Sequence, residues 1–88
     1  MQILKINTKY NFGMAKNPTY DHKKEQLNGF ANQVEAGSPL WFAYKQVIRD
    51  TISQQLKNDK GLTEQDRKDL EREAYLIDTD VYNHKKQS

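Results

Sequence analysis

The sequence predicts a mostly α single domain: an N-terminal extended segment followed by three helices. Three observations carry this. Residues 2–12 alternate apolar and polar, and the alternation then stops. Three later stretches place apolar residues at spacings of three and four. Each of those stretches is bounded by a capping or breaking residue.

The alternating segment sets Leu4, Ile6, Thr8, Tyr10 and Phe12 on one side and Lys5, Asn7, Lys9 and Asn11 on the other, with Ile3 out of phase. Period two with β-branched and aromatic members reads as a strand or extended arm. Gly13 ends the alternation, and Asn17-Pro18 reads as a turn. Residues 1–18 are therefore expected to form a basic arm. A strand needs a partner for its backbone groups. None of comparable strength follows, so pairing within the chain, with a twin in a homodimer, or with the sheet of a partner is open.

The first helix is expected over 22–36, with Asp21 as N-cap and Leu27, Phe30, Ala31 and Val34 as a narrow apolar stripe. Gly37 stops it. Ser38-Pro39 restarts the chain as N-cap and first helical residue, since proline loses nothing at a position whose N–H has no helical acceptor. The second helix is expected over 39–58, with Leu40, Trp41, Tyr44, Val47, Ile48, Ile52 and Leu56 on one broad face. Asn58 and Gly61 end it. The short turn between the first two helices implies neighbours packed side by side.

The third helix is expected over 64–83. Thr63 and Asp66 form a near capping box, with aspartate in place of the usual glutamate. Glu64 and Asp66 suit the positive end of the helix dipole. Leu70, Ala74, Ile77 and Val81 give the core stripe. Asp78-Thr79-Asp80 are poor interior residues, where fraying or a kink is expected, and 84–88 is expected as a loose tail.

Composition narrows function by exclusion. The chain has 88 residues, 35% hydrophobic and 30% charged, so one small domain with a limited core is expected. The net charge of +2 and the nine aromatic residues keep it out of the disordered regime. The chain lacks cysteine, which excludes disulfides, thiolate metal sites and cysteine nucleophiles. No apolar run approaches the roughly 18 residues of a membrane span. MQILKINTKY offers no apolar core for a secretory signal. A cytoplasmic protein without membrane attachment is expected.

Catalysis needs convergent groups, and no nucleophile, metal or phosphate-loop motif is present. The two histidines sit in near-identical pentads, YDHKK at 20–24 and YNHKK at 82–86. Both imidazoles are expected as solvated surface groups, and the resemblance between the pentads as coincidence in a lysine-rich chain. The acid pairs Glu71/Glu73 and Asp78/Asp80 are two apart and do not face each other on a helix. No enzyme activity, metal or cofactor is expected.

Two binding readings remain. The first rests on residues that the core stripes do not claim. Phe42 projects off the second helix's apolar face, near Lys45 and Arg49. Tyr75, Leu76 and Tyr82 lie off the third helix's stripe. Aromatics beside arginine are the usual composition of interface hot spots. The expected function is thus non-catalytic protein binding, as an inhibitor, adaptor or regulatory subunit. Small solitary domains of this sort are often encoded by phages or mobile elements, and by that association such a setting is expected here. The alternative is nucleic-acid or nucleotide-phosphate binding through the basic arm, using Lys5, Lys9, Tyr10, Lys16, Tyr20, Lys23 and Lys24. Residues 1–24 carry five lysines and one aspartate, whereas 59–80 carry four cations and eight acids. Against the alternative, only three of fourteen cations are arginine. The second helix also opens with Pro39-Leu40-Trp41-Phe42, unlike a DNA-reading helix with polar residues at its start.

Overall fold

The computed structural model describes residues 16–86. The expected strand at 2–12 and nearly all of the arm lie outside the described residues. Within them the protein is helical: α1 spans Pro18–Ala31, α2 Pro39–Asn58 and α3 Glu64–Lys86, with no strand among the described residues.

α1 begins earlier than the spacing predicts. Asn17 is the N-cap, its side-chain oxygen accepting from the Thr19 amide at 3.0 Å, and Pro18 occupies the first turn. The Asn17-Pro18 pair is a helix start and not a turn, because proline at the first helical position forfeits no intrahelical bond. Asp21 consequently falls in the first turn and does not cap. The helix also ends earlier, at Ala31. Beyond it the amides of Gln33 and Val34 reach back only three residues, to Phe30 and Ala31. Val34 therefore sits in the connection, which closes through Gly37 at φ 88°, a left-handed conformation that favours glycine.

α2 matches its expected bounds, and the Ser38 hydroxyl accepts from the Trp41 amide at 3.2 Å. Its buried face is rotated from the expected one. Trp41, Ile48, Thr51, Ile52 and Gln55 are buried, whereas Leu40 and Val47 are 50% and 39% exposed. On a helical projection Leu40 and Val47 lie about 80–100° from Ile48, beyond the sector that α1 and α3 cover. Thr51 and Gln55 take interior places with local hydrogen bonds, although Gln55 Oε1 is buried without a partner among the described residues. The Thr51 hydroxyl donates to the Val47 carbonyl at 2.7 Å, and Gln55 Nε2 donates to Asp59 at 3.3 Å.

α3 starts as predicted. The Thr63 amide donates to Asp66 Oδ2 at 3.0 Å, and the Asp66 amide donates to Thr63 Oγ1 at 3.0 Å. The Thr63 amide holds the Asp66 carboxyl below its ordinary range, outweighing partial burial. The helix runs through Asp78-Thr79-Asp80 without a break and ends at Lys86. Residues 84–86 thus belong to α3 and not to a tail; 87 and 88 lie outside the described residues. Lys85 and Lys86 suit the negative end of the helix dipole.

Both outer helices pack on α2. Ile48 and Ile52 meet Leu70, Ala74 and Ile77 of α3 in the core, with Leu27, Leu56, Leu62 and Val81 around its rim. Each fully buried leucine or isoleucine contributes about 1.5–3 kcal/mol, so this short list explains a small, tightly limited core. Phe30, predicted on the α1 stripe, is 49% exposed and stacks on Tyr44 with ring centroids 5.8 Å apart. Between α1 and α3 runs a polar link, buried Lys24 to Glu73 at 3.1 Å, and within α1 the same ammonium lies 3.5 Å from Asp21.

Candidate functional site

The core stripes of α2 and α3 bring the helices together around Ile48 and Ile77. Residues beside those stripes, together with Ile77 and Val81 of the α3 stripe itself, then line a groove on one side of the seam. From α2 come Phe42, Lys45, Gln46 and Arg49; from α3 come Ile77, Asp78, Val81, Tyr82 and Lys85. The groove encloses about 350 Å³. Ile77 is buried and Val81 half-buried, giving it an apolar floor.

The charges along it are unevenly matched. Arg49 Nε donates to both Asp78 oxygens, at 3.0 and 3.2 Å, and Nη1 donates to Ser53 Oγ at 2.7 Å. That guanidinium is fixed and neutralised. Lys45 Nζ lies 3.8 Å from Asp80 Oδ2 and 5.3 Å from the Trp41 ring centroid. The Lys85 ammonium sits 6.0 Å from the Phe42 centroid, at cation–π range. Among the described residues Lys85 forms no ion pair.

Phe42 is held by an edge-on contact with Trp41, at a centroid separation of 5.1 Å and an interplanar angle of 77°. Trp41 is buried and also packs against His84, with ring centroids 4.4 Å apart. His84 is therefore not the solvated surface group its sequence context predicts. Its Nδ1 lies 2.8 Å from the Asp80 carbonyl and 3.3 Å from the Asp80 carboxylate. His22 is exposed. The two pentads thus sit in different surroundings: Lys24 is buried and ion-paired, while its counterpart Lys86 is exposed.

Of the predicted interface residues, the structure gathers Phe42, Lys45, Arg49 and Tyr82 in this groove. Tyr75 lies two turns before Tyr82 along the same outer face of α3, 67% exposed against 63% for Tyr82. Leu76, 57% exposed, faces a second depression with Asn28, Glu73 and Asp80. Asp78, Val81 and Lys85 were missed as site members. Asp78 and Lys85 stand one helical turn from Tyr82 and Val81 stands next to it in sequence, but only the packing of α3 on α2 brings them opposite Phe42 and Arg49.

The predicted phosphate set is divided. Lys5, Lys9 and Tyr10 lie outside the described residues. Lys16 is half-buried and meets Asp21 at 3.3 Å. Tyr20 is half-buried and Lys23 exposed. Lys24 is buried against Glu73 and is not presented to solvent. Among the described residues no three His, Cys, Asp or Glu side chains gather to hold a metal ion. No helix is long and apolar enough to cross a membrane, again among the described residues.

Among the described residues, fold and groove together define a small helical domain of three helices with an aromatic, cation-rimmed groove between the second and third. Comparison with protein-family models, curated proteins and solved structures returns no match to this chain.

Proposed function

We propose that the chain is a non-catalytic protein-binding domain, acting as an inhibitor, adaptor or regulatory subunit. Its contact surface is the α2/α3 groove with the adjoining outer face of α3. The observation that carries this is the exposure of Tyr75, Leu76 and Tyr82, at 67%, 57% and 63%, on one helix of so small a domain. Tyr75 and Tyr82 share one face two turns apart, and large side chains left in water there are what a partner's surface would bury, with Leu76 exposed beside the second depression. Tyrosine beside arginine is the composition that dominates interface energetics.

The test is a tagged pull-down from the native host, divided into nuclease-treated and untreated halves and washed at rising salt. A stoichiometric protein is expected to survive both treatments. It should be lost from Tyr75→Ala and Tyr82→Ala chains whose helical circular dichroism is unchanged. Recovery that collapses with nuclease or modest salt would instead favour phosphate binding through the basic arm, with Lys23 as its exposed lysine on α1.

A further inference from the structure

We infer that the groove takes an acidic segment of the partner protein: one carboxylate pairs with Lys85, and a neighbouring apolar side chain seats between Phe42 and Tyr82. This rests on the protein-binding reading and adds the partner's chemistry to it.

The charge count along the groove points to an anion. Its lining holds three cations, Lys45, Arg49 and Lys85, against one carboxylate, Asp78. Asp78 is spent on Arg49 at 3.0 Å. Asp80 reaches Lys45 only at 3.8 Å. The charge left over is that of Lys85, poised over the Phe42 ring. An incoming carboxylate completes the pairing, and it arrives at the rim, where desolvation is cheap.

The apolar half of the site selects against a plain polyanion. Ile77 and Val81 floor the groove, and Phe42 and Tyr82 stand on opposite walls, a place for an aliphatic or aromatic anchor. A nucleic-acid strand fits less well. Its phosphates repeat along a continuous track and call for an unbroken cationic groove. Here Asp78 interrupts the cations within the groove, and exposed Glu71 lies further along α3. Discrete carboxylates interleaved with apolar side chains match this pattern.

The experiment uses the full chain, uniformly labelled with nitrogen-15, and three probes. One is a peptide of alternating glutamate and leucine. The second is its twin with lysine for glutamate. The third is a single-stranded oligodeoxynucleotide of similar charge. The acidic peptide is expected to shift the amide resonances of Phe42, Arg49, Tyr82 and Lys85, and the lysine twin is not. Lys85→Glu is expected to weaken the acidic peptide by about tenfold and to admit the twin. Lys85 is exposed, so an unchanged amide spectrum elsewhere will show the fold intact. Shifts that centre away from the groove, equal response to the twin, or tighter binding of the oligonucleotide to these residues would overturn the inference. So would a protein captured in the pull-down that Lys85→Glu leaves bound, and in that case the protein-binding reading stands. Failure to capture any protein overturns the reading itself.

Discussion

Asp59 Oδ2 accepts the Asn17 backbone amide at 2.9 Å, across 42 positions of sequence. The other oxygen accepts the Gly61 amide at 3.1 Å, and Gln55 Nε2 lies 3.3 Å from Oδ2. One buried carboxylate therefore pins the start of α1, the end of α2 and the turn into α3. Removing it leaves amides that must find new partners in a small core.

Burial pushes the Asp59 carboxyl up, but the amides of Asn17 and Gly61 and the Gln55 side chain together pull it below its ordinary value of 3.8. A carboxylate depressed by folding stabilises the protein above its unfolded pKa, and that contribution fades as pH falls through the folded one. Asp59→Asn is expected to cost about 1–3 kcal/mol at neutral pH. The gap from the parent should begin to narrow as pH falls below the ordinary value of 3.8 and go on narrowing until the lower folded value is passed, because only there is the native carboxyl neutral like the amide. Urea unfolding at pH 7, 5 and 3 checks this; a gap unchanged at pH 3 would contradict it.

Lys24 offers a different test. Its side chain is 7% exposed, while its partners Glu73 and Asp21 are 38% and 45% exposed. The carboxylates can return to water if the lysine is removed, and a methionine can fill the space of the aliphatic stem. Lys24→Met is therefore expected to change stability by less than about 1.5 kcal/mol, and Lys24→Ala to cost more through lost packing. Chemical denaturation of both variants would show it, and equal losses would mean that the charge outweighs the stem.

Much of this fold is legible in the sequence. Ser38-Pro39 and Thr63/Asp66 mark the starts of α2 and α3, because their caps use only local residues. The start of α1 was misplaced because Asn-Pro serves equally as a turn and as a cap followed by the first helical residue. Its end was misplaced because the last turns tighten to three-residue bonds that spacing does not reveal. The final turn of α3 depends on tertiary contact: His84 packs on Trp41, an element away. Likewise Phe42 and Tyr82 can each be read as off-stripe. Their convergence, and the inclusion of Asp78 and Lys85, follow from how α3 lies on α2.

The two described glycines outside the α2–α3 turn should respond in opposite directions to alanine. Gly37 holds φ 88°, and an added Cβ would stand 3.4 Å from the His84 ring. The left-handed conformation alone costs a side chain about 1–2 kcal/mol. Gly29 lies within α1, and nothing stands within 4 Å of its added Cβ. Gly29→Ala is expected to stabilise by about 0.5–1 kcal/mol. Thermal melts of both variants decide it, and a destabilised Gly29→Ala would mean that α1 relies on that glycine in a way its surroundings do not explain.

Trp41 and Tyr82 flank the same groove residue, Phe42, yet they should separate folding from binding. Trp41 is 5% exposed and touches Phe42, His84 and the Lys45 ammonium. Truncating it opens a void that a small core cannot refill, so Trp41→Ala is expected to cost about 3–5 kcal/mol. Tyr82 is 63% exposed, and Tyr82→Ala should move stability by no more than about 0.5 kcal/mol. If the groove is the contact surface, Tyr82→Ala still loses the partner by about tenfold or more. Paired calorimetry of unfolding and of partner binding measures both quantities on the same samples. A Tyr82→Ala chain that folds normally and binds normally would move the contact surface away from this groove.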